Sequence, residues 1–303
     1  MRIRTAALIS VVAAGGVIAG QGRGPAELAT APVPPGAIRF AYGSDPLQFG
    51  ELRLPPGGGS VKHPVAIVVH GGCWVSELGK FDPRAVAMDN MRPMAAALSA
   101  AGIATWNVEY RRVGNAGGGW PGTFQDVGLA ADALRTVARE QPLDLSRVIS
   151  IGHSAGGHLA LWLAARSRIP ATSELYAKDP LRLVAAVNLD GPGDLKAMLA
   201  AQQTICGRPV ITELMGGSQE ERAERYRAAS PAELLPIGIR VESFTGRAFG
   251  AQNAAYEAAA KHAGDTMEAT TIAGAGHFAF IDPQSEVWPQ VLAAARRLLS
   301  VAK

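Results

Sequence analysis

The sequence predicts an α/β fold: one mostly parallel sheet with helices on both faces and a small cap or excursion. Three observations carry this. Short apolar runs rich in β-branched residues recur along the chain. They alternate with segments of helical periodicity ten or more residues long. Gly and Pro, 35 and 20 residues, punctuate the joins. A continuous apolar run suits a strand buried on both faces, and a parallel neighbour is reached only through a crossover. The alternation never restarts, so one domain accounts for it better than two.

The elements follow in order. Ala37 to Tyr42 and Gln48 to Leu54 read as two early strands, and Pro64 to His70 as a buried one. Pro83 to Ala101 has helical periodicity and stops at Gly102, a suitable helix end. Ile103 to Tyr110 is the next strand, Thr123 to Glu140 a helix, and Arg147 to Ile151 a strand leading into a helix over Ser154 to Ser167. Leu183 to Asp190 is again a buried strand. Gly191 to Pro236 is irregular, with a helix around Ser218 to Ala228. Ile239 to Thr245 and Met267 to Ile272 are strands, separated by a helix over Asn253 to Ala263, and Glu286 to Ala302 closes the chain as a helix.

With 303 residues, 48% hydrophobic and 18% charged, the chain has material for a sizeable core. The net charge of +3 comes from scattered basic residues, which argues against a nucleic-acid partner. At the N-terminus, Arg2 and Arg4 precede an apolar stretch to Gly20, with Val17-Ile18-Ala19 as a small-residue cleavage site. This reads as an export signal over residues 1–19 and a linker over 20–36, leaving a domain over 37–303 in a periplasmic or secreted protein. The stretch is short for a spanning helix, so the mature chain is not expected to insert in a membrane. Of the two cysteines, Cys73 falls in a loop expected beside the site, which argues against its pairing with Cys206.

Gly152-His153-Ser154-Ala155-Gly156 matches G-x-S-x-G, with a strand entering it and a helix leaving it. The serine needs a sharp turn that exposes its hydroxyl, and the helix start offers free N–H groups to developing negative charge. Ser154 is the candidate nucleophile. His70-Gly71-Gly72-Cys73-Trp74 ends the third strand, where two glycines let the backbone turn toward an oxyanion. N–H groups of Gly71 or Gly72, with that of Ala155, are the candidate donors, and His70 braces the loop. Trp74 and Trp120 are candidate walls of the substrate pocket, with core packing as the alternative.

His277, in Gly274-Ala275-Gly276-His277-Phe278, follows the last strand and is the candidate base. The loop after the preceding strand, Thr245 to Ala251, holds no Asp or Glu. Asp190 therefore ranks first as the acid that orients His277, ahead of Asp194, Glu242 and Asp282; a Ser–His dyad is the remaining possibility.

From Pro64 onward the chain resembles α/β-hydrolase esterases grouped with arylformamidases and acetyl or feruloyl esterases, near the hormone-sensitive-lipase-like set. The resemblance rests on His70-Gly71-Gly72 with Trp74, Glu109-Tyr110-Arg111-Arg112, Gly118-Gly119-Trp120-Pro121, Asp126, Gly152 to Gly157 with His158, Ser230-Pro231, Leu235-Pro236 and Gly276-His277. It departs at Gly246-Arg247-Ala248-Phe249, where the family carries its acid. The resemblance implies hydrolysis of a small-molecule ester or amide with neither metal nor organic cofactor. The expected activity is that of a carboxylic ester hydrolase, with an arylformamidase and a turnover-impaired pseudo-hydrolase as alternatives. An oligopeptidase is disfavoured because these 303 residues leave no room for a propeller domain ahead of the hydrolase unit.

Overall fold

The computed structural model describes residues 22–57, 61–246 and 249–300; the export-signal reading lies outside them. A short helix α1 (Pro25–Thr30) precedes strands β1 (Ile38–Ala41), β2 (Phe49–Arg53) and β3 (His63–Val69). Helix α2 (Arg92–Ala100), β4 (Ala104–Val108), α3 (Gly122–Val137), β5 (Leu143–His153), α4 (Ala155–Ala165) and β6 (Ala185–Leu189) follow. Four short helices come next: α5 (Leu195–Leu199), α6 (Gln202–Cys206), α7 (Val210–Met215) and α8 (Ala223–Ala229). The chain then runs through β7 (Arg240–Thr245), α9 (Gly250–His262), β8 (Met267–Thr271) and α10 (Trp288–Ser300).

The eight strands form one sheet in the order β1-β2-β4-β3-β5-β6-β7-β8. The pairings of β1 with β2 and of β2 with β4 are antiparallel, and all the others are parallel. Successive strand residues point to opposite faces. Thus Val65, Ile67 and Val69 join the core under α3 and α4, while Ala66 and Val68 join the core under α2 and α10. Helix α10 supplies the period: Trp288, Val291, Ala294, Ala295, Leu298 and Leu299 form one buried stripe. In α4 every residue is buried, which accounts for its lack of a polar face.

The parallel register sets the site. Val69 pairs with Gly152, Gly152 with Asn188, and Leu189 with Phe244. The carboxyl ends of β3, β5, β6 and β7 therefore lie side by side, the edge at which open α/β sheets bind ligands.

Two local expectations are corrected. The helix expected from Pro83 breaks into 3-10 turns over Pro83–Val86 and Met88–Met91 before α2 begins. Side chains take the carbonyls a continuous helix would use. Asn90 bonds Ala85 O (2.7 Å), Arg112 bonds Val86 O (2.7 Å) and Asn107 bonds Met88 O (3.2 Å). The described part of the linker segment is docked rather than free. Leu28 is fully buried, and Arg23 grips Asp282 with its main chain (2.9 Å) and its guanidinium (2.7 and 3.1 Å). The irregular stretch after β6 carries α5 to α8, and its Val210, Ile211, Leu214 and Tyr226 are buried in the core under α4.

Candidate active site

Strand β5 delivers Ser154 to the first turn of α4 with φ of +56°, a conformation costly for an L-residue with a side chain. The turn is over-determined. Ser154 N–H donates to Leu189 O (2.9 Å), and Gly157 and His158 N–H donate to Ser154 O (2.8 and 3.2 Å). Its glycines are sterically required: a Cβ on Gly152 would sit 1.9 Å from Gly156 O, and one on Gly156 would sit 2.1 Å from Val69 O. The helix must cross this close to put its N-terminus behind the serine.

Asp190 directly follows β6, also in the left-handed region (φ +48°), and is fully buried. Its Oδ2 accepts from His277 Nδ1 at 2.7 Å, and its Oδ1 accepts from Gly246 N–H at 2.9 Å. The bond to Nδ1 leaves His277 Nε2 without a proton in the neutral ring. His277 starts a 3-10 turn over His277–Ile281. Its main-chain oxygen accepts from His153 Nε2 at 2.8 Å. Burial, then the proximity of His277, pushes the pKa of His153 well below that of a free imidazole, so His153 is a neutral donor that props the loop.

The other carboxylates are engaged elsewhere. Asp194 caps α5 through Lys196 N–H (2.8 Å), Glu242 pairs with Arg297 (2.5 and 3.2 Å), and Asp282 with Arg23. Among the described residues, no group of three or more His, Cys, Asp or Glu is placed to hold a metal ion.

The loop after β3 is built on polar pairing beneath the sheet edge. Both ring nitrogens of His70 face oxygens, Nδ1 at Gly71 O (2.8 Å) and Nε2 at Glu109 Oε1 (3.0 Å). The ring stacks on Tyr110, centroids 4.2 Å apart, and Tyr110 Oη donates to His70 O (2.8 Å). Burial alone would raise the pKa of Glu109, but the charge of His70 and its hydrogen bond, then the charge of Arg112 and the Tyr110 N–H, hold it at about 2. Cys73 and Trp74 both adopt left-handed φ, +52° and +57°. Val75 N–H to Gly72 O (3.1 Å) and Val113 N–H to Trp74 O (2.9 Å) fasten the turn.

Ser154 and His277 line one cavity of about 120 Å³. Gly72 and Cys73 line it too, with an apolar rim that includes Leu78, Phe81, Val86, Ile205 and Phe278. Gly71 does not line it. A Cβ there would meet His153 O at 2.7 Å and Ser154 Cβ at 2.9 Å, so Gly71 is the point where the loop passes the elbow. Among the described residues, no acceptor takes the N–H groups of Gly72, Cys73 or Ala155.

Both tryptophans expected at the pocket lie elsewhere. Trp74 is buried in the core and donates its indole N–H to His158 Nδ1 (3.2 Å). Trp120 lines a separate, charged groove of about 560 Å³ and donates to Glu174 (2.9 Å). The pattern His-Gly-Gly-x-Trp shows that an aromatic follows the loop, but not that its ring turns inward. Arg111 and Arg112 hold the framework: Arg111 forks onto Asp126 (2.7 and 2.8 Å), and Arg112 bonds Val86 O and pairs with Glu109.

Cys73 is also disulfide-bonded to Cys206, Cα atoms 6.1 Å apart, contrary to the expectation that its place in the loop would keep it free. The irregular segment after β6 folds back over the loop and brings Cys206 to it. The cavity residues that sequence reasoning missed, among them Pro25, Phe81 and Ile205, sit in segments without motif character.

A serine at a strand-to-helix elbow, a histidine held by a buried carboxylate and a glycine loop beside them define an α/β-hydrolase, here of the esterase class of serine hydrolases. The chain belongs to the BD-FAE family, an α/β-hydrolase esterase family whose profile matches residues 51–236. No curated protein sequence matches it. Among solved structures it is similar to a truncated carbohydrate esterase from gut microbiota (20% identity, TM-score 0.69, covering 92% of this chain and 100% of that one). It is similar also to esterase B from Lactobacillus rhamnosis inhibited by a tributyrin phosphonate (18% identity, TM-score 0.74, 91% and 89%). A third is Thermogutta terrifontis esterase 2 phosphoramylated by tabun (18% identity, TM-score 0.68, 88% and 95%).

Proposed function

We propose that this chain hydrolyses carboxylic esters of small acylated substrates through an acyl-enzyme on Ser154. The observation that carries the reading is the bond from His277 Nδ1 to buried Asp190, in a histidine that shares one apolar cavity with Ser154. In this reading His277 Nε2 takes the hydroxyl proton as Ser154 Oγ attacks the ester carbonyl. The negative oxygen is received by the free N–H groups of Gly72, Cys73 and Ala155, so the loop donors sit one residue later than Gly71 and Gly72. His277 then protonates the leaving alcohol, and water activated by the same nitrogen releases the acid.

Asp190 supports turnover over a pseudo-hydrolase. It brings a carboxylate to His277 from β6, although the loop after β7 offers none, and Gly246 at that loop serves as a donor to it instead. The small apolar cavity supports short acyl groups. The Cys73–Cys206 disulfide supports export to an oxidising compartment.

The test is labelling with a fluorophosphonate, followed by assay on short p-nitrophenyl esters and on an N-formyl aryl amide. Labelling that vanishes in Ser154→Ala, with ester turnover exceeding formamide turnover, is the expected result. Labelling that persists in Ser154→Ala removes the reading.

A further inference from the structure

The disulfide does more than link two distant segments. Its first cysteine belongs to the loop that lines the cavity, and its second ends α6, whose preceding residue, Ile205, forms part of the cavity wall. Helix α6 has five residues, too few to hold its shape alone. Cys206 is its one buried residue: Gln203 and Thr204 are exposed, and Gln202 and Ile205 are half-buried. Its side-chain hydrogen bonds are local, Ile211 N–H to Gln202 Oε1 (2.9 Å) and Gln203 Nε2 to Gly207 O (2.9 Å). Ile205 packs against the core from its half-buried place, and the one fully buried side chain of α6, Cys206, is bonded through its sulfur to the cavity loop.

We propose that the Cys73–Cys206 disulfide is a specificity-determining element which, by seating α6, places Ile205 as the wall that limits acyl-chain length beside Ser154. The inference rests on the esterase reading above. With the bridge intact, Ile205 closes one side of a cavity of about 120 Å³, and a long acyl chain meets its side chain. With the bridge open, α6 loses its buried anchor, the wall moves outward, and longer chains are admitted. Cys206 acts through Ile205 and is a positioning residue.

The experiment measures kcat/KM for p-nitrophenyl butyrate and octanoate in the full chain, alongside fluorophosphonate labelling of Ser154. The native protein favours butyrate. Cys206→Ser, and the native protein reduced with a phosphine that delivers two electrons to the disulfide, lower the butyrate-to-octanoate ratio by about tenfold or more. The phosphine leaves Cys206→Ser unchanged. Ile205→Ala, which keeps the bridge, shifts the ratio the same way, and the reduced native protein decides the part of the bridge if Cys206→Ser does not fold. Persistent labelling with an unmoved ratio in Ile205→Ala and in reduced native protein overturns this inference alone. A Ser154 that no fluorophosphonate labels, with neither ester turned over, overturns the esterase reading and this inference with it.

Discussion

His277 Nδ1 lies 2.7 Å from Asp190 Oδ2, and the carboxylate that makes this bond comes from the end of β6, next to the nucleophile strand, rather than from β7. Gly246, at the end of β7, holds the other oxygen through its N–H, so Asp190 is fixed at both ends. Under the proposed mechanism, Asp190→Asn presents an amide N–H or a weaker acceptor to Nδ1 and disfavours the tautomer whose Nε2 is free. The expected loss in kcat is about 10³- to 10⁴-fold with KM little changed. Steady-state kinetics on a short ester measure it, and a rate within tenfold of the native value would remove Asp190 from the mechanism.

How far the sequence foretold this site depends on where each residue's signal is local. Ser154, Gly152 and Gly156 are legible because the elbow's sterics demand those residue types at that spacing. Asp190 ranks first in the sequence because it ends a predicted strand and the loop after β7 holds no acid. What makes it the partner of His277 is strand order, with β6 between β5 and β7, and that is a long-range property. The two tryptophans show the reverse. The sequence puts them beside the motifs, but side-chain direction follows packing, and Trp74 turns into the core to meet His158. The disulfide and the wall residue Ile205 were illegible because the segment after β6 has short helices whose path is set by tertiary contacts rather than periodicity.

Glu242 is one of the three other candidate carboxylates, and its pairing makes a contrasting prediction. It is buried in β7, and its oxygens face Arg297 and Arg240. Because Arg297 is half-exposed and can be resolvated, Glu242→Gln should cost about 1–2 kcal/mol of stability. Ester turnover should stay within twofold. Urea titration and kinetics on the same preparation separate the two effects, and a loss of turnover comparable to that of Asp190→Asn contradicts the assignment.

The docked N-terminal segment ties two flanks of the cavity together. Arg23 holds Asp282, just beyond the His277 turn, while Leu28 is buried against Met91 and its neighbours and Pro25 lines the cavity. Leu28→Ala is expected to cost about 2–5 kcal/mol. Arg23→Ala, which leaves a buried carboxylate short of partners, should cost about 1–3 kcal/mol. Because the segment contributes a wall and no reacting group, KM should rise more than kcat falls. If kcat falls alone, the segment acts on the chemistry and not on the wall.

His158 makes acid sensitivity a property of the core. It accepts from Trp74 Nε1 (3.2 Å) and donates from Nε2 to Ala229 O (2.9 Å), so both nitrogens are satisfied only in the neutral ring. Burial outweighs the bond to Ala229 and lowers its pKa from 6.5 to about 4. A ring that resists protonation when folded leaves the unfolded chain binding more protons below pH 6.5. Stability is therefore complete above that value and is lost as pH falls toward 4, by about 3 kcal/mol in all. His153, lowered in the same direction, adds to the loss but is independent of this site. Glu109, held at about 2, gives up its contribution mainly at lower pH. His158→Gln keeps an acceptor and a donor but cannot titrate. It should be less stable than the native protein at pH 7, and its unfolding free energy should fall less steeply between pH 6.5 and 4, by up to about 1.4 kcal/mol per pH unit. Denaturant titrations of both proteins across that range measure the difference. Parallel curves would mean that the folded protein protonates His158 as readily as the unfolded chain does, which its two bonds do not allow.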